Sequence, residues 1–247
     1  MRSSTWAGRF PVSAKALTKW AGFVSILQGL LLFIPLTVLG GAINWPDSLG
    51  DPAATALPRL LENEGAVRAG YFFYLIYSIL FVVAIALLAE LILGKNAALL
   101  MRIIIAFAII SVLARSLGII RWLAPMFDLA NMWKGASTED QKYAIAVTYE
   151  TLNSYGGTIG EVLGVSIFAS IAILLLSIGN IVKKSLPAWF SAFGLVSGIG
   201  LLWTATDIIG VDPGDTAIFL GTTIVQVWFL ITGLWLLVRG RKVLTSN

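Results

Sequence analysis

The sequence predicts an all-helical, polytopic membrane bundle of six transmembrane helices with both termini cytoplasmic. Three observations predict it. Six apolar stretches of about twenty residues are each long enough to cross the ~30 Å hydrocarbon core as a helix. Of the 247 residues, 58% are hydrophobic and only 12% charged, where soluble domains carry roughly 25% charged residues. The basic residues also fall unevenly on alternate connections.

The spans are read as residues 20–40, 70–93, 98–123, 158–182, 187–209 and 216–238. Residues 1–19 form a cytoplasmic segment, 20–238 the six-span domain with outer loops 44–68 and 124–157, and 239–247 a cytoplasmic tail. The first span follows Arg2, Arg9, Lys15 and Lys19 as a signal peptide would. Its apolar core of about nineteen residues exceeds the ~7–15 residues of a signal core, so it is read as a retained span.

Orientation follows from charge. Arg2, Arg9, Lys15, Lys19, Lys95, Arg102, Lys183, Lys184, Arg239, Arg241 and Lys242 flank one set of connections, and only Arg59, Arg68, Lys134 and Lys142 lie on the longer loops opposite. The positive-inside bias puts the first set in the cytoplasm. The net charge of +4 is thereby explained by membrane orientation, with no nucleic-acid partner. Trp20, Trp189 and Trp235 are expected at the cytoplasmic interface and Trp45, Trp122 and Trp203 at the outer one, where indole rings are favoured.

The two outer loops are expected to fold over the mouth of the bundle. One short helix is expected after Pro58. In the other loop, Ser137 with Asp140 reads as a capping arrangement, followed by Tyr143, Val147 and Leu152 at helical spacing. A helix running from Thr138 to Val182 would be about 68 Å long, so a break or bend is expected at Gly156-Gly157.

Gly156, Gly160 and Gly164 repeat every four residues, as do Gly194 and Gly198. Such stripes let helix backbones approach closely and are read as packing within the bundle. No lysine lies inside a span to carry a retinal Schiff base. The chain contains no cysteine and no histidine, which removes disulfides, thiol nucleophiles, histidine-held metals and serine–histidine relays. No cofactor is expected.

Two arginines remain that orientation does not require. Arg115 is thirteen residues from Arg102, about 20 Å along a helix, which places it in the outer half of the hydrocarbon region. Arg121, Glu161 and Asp207 count to the outer boundary. An arginine inside the membrane is costly and normally faces the bundle with a partner. Ser111, Arg115, Gly118 and Trp122 share one stripe, taken as the bundle-facing one, and Glu161 followed by Asp207 are the candidate partners. The site expected is an outward-opening polar pocket of Arg115, Arg121, Glu161 and Asp207, with Asp128 and Asn153 at its rim.

Two guanidiniums suit a carboxylate, a phosphate or a lipid headgroup. The alternative is an ion-pair network that fixes helix register and binds nothing, with Arg121, Glu161 and Asp207 snorkelling towards water. Deeper, Gln28, Gln226 and Thr222 are mid-membrane polar groups, expected to bond between helices. Glu90, close to the cytoplasmic edge near Lys95, is expected to form an interfacial pair with it.

The runs Leu117-Gly118-Ile119-Ile120-Arg121-Trp122-Leu123 and Gly156-Gly157-Thr158-Ile159-Gly160-Glu161-Val162-Leu163-Gly164, with Ala69-Gly70-Tyr71 and Leu186-Pro187, resemble a bacterial membrane-protein family labelled domain of unknown function 4386. The resemblance spans residues 15–240 and implies a multi-pass protein of the cytoplasmic (inner) membrane. It brings no activity, substrate or catalytic residue.

The function expected is non-enzymatic: binding a small anionic or lipid ligand, or a partner membrane protein, through the outer cluster. A secondary transporter gated by Arg115 and Glu161 is the alternative and requires a polar path from the cluster to Gln28 and Gln226. An intramembrane enzyme using Glu161 or Asp207 requires a second reactive group within hydrogen-bond reach. A structural subunit of a larger complex is the remaining reading.

Overall fold

The computed structural model describes residues 13–94 and 97–239, without the side chain of Asp215. Arg2, Arg9, Lys95, Arg241 and Lys242, and with Lys95 the pairing expected of Glu90, lie outside the described residues. Within them every regular element is helical. Six helices are long and apolar enough to cross a membrane.

The first span begins at Ala14, where the Ser13 hydroxyl accepts the Ala16 N–H at 3.2 Å. It has two parts, α1 (Ala14–Leu31) and α2 (Phe33–Ile43), separated at Leu32. Pro35 explains the interruption: it has no N–H for the Leu31 carbonyl, and its ring crowds that carbonyl. A short helix α3 (Ala53–Glu62) follows in the first loop. The second span is α4 (Glu64–Leu93) and the third α5 (Ala98–Leu123), followed by α6 (Pro125–Gly135) in the second loop. The fourth span joins α7 (Glu139–Gly157), a π-helical segment (Thr158–Ala169) and α8 (Ser170–Lys183). The fifth is α9 (Ala188–Trp203) continued by 3₁₀ turns to Ile209, and the sixth α10 (Asp215–Val238).

Each span packs against its neighbours in sequence, and α1 closes the ring on α10. Helix α4 also reaches α8 across the interior. Large apolar side chains such as Phe23, Ile79, Leu113 and Val182 are exposed around the outside, as a lipid-facing surface requires. Residues 44–68 and 124–157 mark the cap end of the bundle; the opposite end, where Ser13 and Arg239 lie, is the terminal end.

The cap is a folded layer. Helix α3 starts behind Pro52 and contains Pro58, so the helix does not follow Pro58 as expected. Pro58 falls in the second turn, where its missing N–H leaves only the Ala54 carbonyl without a helical donor. Helix α6 begins on a proline. Helix α7 is capped one residue later than expected: the Thr138 hydroxyl accepts the Gln141 N–H at 3.2 Å, and Gln141 Oε1 accepts the Thr138 N–H at 3.3 Å. Gln141, not the expected Asp140, supplies the reciprocal bond of a capping box.

The buried face of α7 carries Ile145, Tyr149 and Gly156, not Tyr143 and Val147, which are exposed. Of the break or bend expected at Gly156-Gly157, the described helix shows no break. The helix runs on from Glu139 to Lys183, and the path changes from α to π just after Gly157. Within this segment the Ser166 hydroxyl donates to the Glu161 carbonyl five residues back at 3.1 Å.

Two apolar cores result. One holds the spans together towards the terminal end, around Phe81, Leu88, Ile104, Phe190, Trp228 and Phe229. The other binds the cap, around Leu39, Leu57, Leu60, Tyr71, Trp122, Phe127 and Tyr149. Trp122 belongs here, buried and stacked on Tyr71 with ring centroids 5.4 Å apart.

Candidate functional site

The site lies between the two cores, where α5 meets the π segment. Ser111, Arg115, Gly118 and Trp122 are all buried on α5, so the stripe carrying the arginine faces the bundle. Opposite stand the three spaced glycines. A Cβ on Gly118 would lie 2.7 Å from the Gly160 Cα, one on Gly156 2.6 Å from Arg121 Cδ, and one on Gly164 2.7 Å from Arg115 Cγ. The stripe therefore does more than bring two backbones together. It makes the space in which both arginine stems lie, and the Ser111 hydroxyl fixes the register by donating to the Gly164 carbonyl at 2.7 Å.

The two arginines differ in their partners. Arg121 donates to the Gly118 carbonyl at 3.1 Å and lies 3.8 Å from the Glu161 carboxylate. Its side chain is only 5% exposed, while that of Glu161 is 58% exposed. Arg121 therefore does not snorkel: Gly156 leaves room for its stem inside the bundle. Arg115, also 5% exposed, makes no hydrogen bond or ion pair among the described residues, and its Nε is orphaned. Its guanidinium lies over aromatic faces, 4.8 Å from the Tyr77 centroid and 5.6 Å from that of Phe81. The expected pairing of Arg115 with Glu161 or Asp207 is thus absent among the described residues. Glu161 serves Arg121, and ring faces serve Arg115.

Asp207 is exposed on the 3₁₀ turns that end the fifth span. Tighter winding over Thr204–Ile209 turns it out of the cluster. Asp128 is likewise exposed, because the buried face of α6 is Met126, Phe127, Leu129 and Ala130. Asn153 donates to the carbonyl of Leu49, a residue lining the cap-side cavity, at 2.8 Å. It pins the first cap loop, as do Tyr149, donating to the Asp51 carbonyl, and Arg59, paired with Asp51 at 2.7 Å.

Two cavities adjoin at Arg115. The one towards the cap, about 30 Å³, is lined by Trp45, Leu49, Tyr71, Tyr74, Arg115, Arg121 and Glu161 among others. The deeper one, about 50 Å³, is lined by Tyr74, Tyr77, Phe81, Arg115, Thr222 and Gln226 among others. Tyr74 and Arg115 border both. A water needs roughly 10–15 Å³ measured this way, so each cavity is sized for a few waters or a small ion.

Gln226 donates to the Tyr77 hydroxyl at 2.6 Å, the interhelical bond expected of a mid-membrane amide. Thr222 bonds back along its own helix to Ile218 and Phe219. Gln28 is fully buried, yet neither side-chain polar atom has a partner among the described residues.

Sequence reasoning passed over the tyrosines. Tyr71, Tyr74, Tyr77 and Phe81 form the wall of α4 that faces Arg115. A signal was there: three tyrosines at intervals of three residues share about a third of a helix face, and a phenol deep in a span needs a polar neighbour.

Comparison with known proteins adds a family and nothing finer. No curated protein and no solved structure matches the chain. Residues 26–240, which contain both arginines, Glu161, the glycine stripe and the tyrosine wall, match the model of the family described as domain of unknown function (DUF4386), and the chain belongs to that family.

Proposed function

We propose that the protein binds a small anion, free or presented as a lipid headgroup, at Arg115 in the outer half of the cytoplasmic membrane, with both termini cytoplasmic. The supporting observation is charge balance. Arg121 has a carboxylate beside it; Arg115, equally buried, has none among the described residues. An isolated buried cation is strongly disfavoured, and aromatic faces return only about 2 kcal/mol or more when desolvated. A carboxylate or phosphate oxygen in the adjoining cavities supplies the missing charge and takes hydrogen bonds from the guanidinium. Tyr74 and the edge of Trp45 complete the enclosure.

The orientation rests on the positive-inside distribution of the basic residues, which puts the cap and its cavity outside. Neither Glu161 nor Asp207 makes a side-chain hydrogen bond among the described residues, so nothing in the site favours acid–base chemistry over binding.

Thermal unfolding of the purified protein tests the reading. Titration with phosphate, acetate and chloride is expected to raise the Tm in wild type and not in Arg115→Gln, because a ligand held by the folded state alone stabilises it by mass action. Equal shifts in both proteins sink the proposal. Co-purified phospholipid released from wild type but not from Arg115→Gln identifies a headgroup as the source.

A further inference from the structure

Buried polar atoms without a partner are uncommon in native proteins, and each calls for an explanation. Their distribution here is uneven. Tyr71, Arg115, Arg121 and Asn153 carry such atoms around the arginine cavities, and all the others among the described residues belong to Ser25, Gln28, Ser78, Gln226 and Thr232. These five lie on α1, α4 and α10, with α1 packed against both of the others, and each is at most 5% exposed. Several buried serines on the other spans are satisfied: Ser111, Ser170, Ser177 and Ser197 all donate to carbonyls. Away from the arginines, the unpaired atoms are confined to one seam.

The seam continues from the deeper cavity. Gln226 lines that cavity, and Gly29, next to Gln28, lies against the Gln226 carbonyl. Thr232 is six residues further along α10, about 9 Å closer to the terminal end. Ser25 is three residues closer to that end than Gln28 on the antiparallel α1. Phe81 and Phe229 meet edge to face at 6.1 Å within the apolar core towards the terminal end.

Helix α1 is also divided from α2 beside this seam. Its interruption at Leu32 lies against the deeper cavity, and Leu32 is one of the residues lining it. Beyond the interruption, α2 is fixed in the cap core through Leu39 and Ile43, whereas α1 belongs to the other core through Ala21 and Val24.

We infer that the α1–α4–α10 seam is the closed form of a passage from the Arg115 cavity to the terminal end, opened by α1 swinging about Leu32–Pro35, and that the protein carries its small anion across the membrane. The inference rests on the anion site at Arg115. Opening hydrates Ser25, Gln28, Ser78 and Thr232, whose orphaned atoms have no partner among the described residues when it is shut. In the shut state, the close fit of Gly22 and Gly29 against α10 holds the seam together.

The natural absence of cysteine makes the test clean. Single variants Ser25→Cys, Ser78→Cys and Thr232→Cys of the full chain are exposed to a membrane-impermeant thiol reagent in right-side-out and inverted vesicles. Ala172→Cys, fully buried in the apolar core, is the control. An open state populated at about 1–10% gives seam labelling on the order of tenfold faster than the control, from the terminal side. Adding Pro35→Ala, which restores the helical bond at the interruption, slows that labelling while the phosphate-dependent Tm shift persists. Seam cysteines labelled no faster than Ala172→Cys overturn the passage. If the Tm shift is then still lost only with Arg115, the binding site stands without it. Radiolabelled phosphate or acetate entering proteoliposomes with wild type but not with Arg115→Gln supports carriage; binding without entry refutes it.

Discussion

Two seams of this bundle are built on glycine, and they use the space differently. Between α5 and the π segment, Gly156, Gly160 and Gly164 face Arg121, Gly118 and Arg115. Between α1 and α10, Gly22 and Gly29 face Leu237, Leu230 and backbone, while Gly233 faces Gly22 and Ile26. The first seam stores two cations inside a membrane protein. The second brings two helices into contact and leaves the amides and hydroxyls beside it unpaired. A small-residue stripe alone therefore identifies close approach, and the opposing helix decides whether that approach makes a site.

The largest expected effect attacks both seams alike. Gly118→Val drives a side chain into the Gly160 backbone, and Gly233→Val does the same at Gly22. Each is expected to cost about 3 kcal/mol or more by overpacking, read as a fall in Tm. Anion-dependent stabilisation should disappear with Gly118→Val and survive in whatever folded fraction Gly233→Val retains. Loss in both would mean that the seams are not independent.

Arg115→Met sharpens the contrast by removing the uncompensated charge. Replacing buried ionic groups with well-packed apolar ones is often neutral or stabilising by about 1–4 kcal/mol. The variant is therefore expected to have an equal or higher Tm than wild type in anion-free buffer, with no response to phosphate. A marked loss of stability would show that Arg115 is already satisfied within the protein.

Tyr77→Phe tests the deeper cavity. It removes the one side-chain hydrogen bond that Gln226 makes among the described residues, where its Oε1 is already orphaned, for an expected cost of about 1–2 kcal/mol. Seam labelling should become faster, because α10 loses a tie to α4. Thr138→Ala, far from both seams, should cost only about 0.5–1 kcal/mol through the lost cap and leave anion response and labelling unchanged.

Much of the architecture was legible because the bilayer imposes it. Long apolar runs must become helices, and the stripe Ser111–Arg115–Gly118–Trp122 could be assigned to the interior because an arginine cannot face lipid cheaply. The partners were not legible. Depth counted along a helix placed Arg115, Glu161 and Asp207 near one another, but contact depends on rotation about each helix axis. The 3₁₀ turns over Thr204–Ile209 and the π winding over Thr158–Ala169 changed that rotation. Asp207 was turned outwards, and Glu161 was set beside Arg121. The tyrosines were missed because an aromatic in an apolar span reads as packing until a cation is found above it.

The sequence by itself determined that this is a six-span membrane protein and that Arg115 must face inwards. Those conclusions rest on the cost of polar groups in hydrocarbon, which depends on composition and spacing alone. Only the tertiary structure decided that Arg115 rests on rings with no carboxylate beside it among the described residues, that two cavities meet at it, and that unpaired polar atoms gather along α1, α4 and α10. Those facts depend on which helices touch and how each is wound, and side-chain packing sets both.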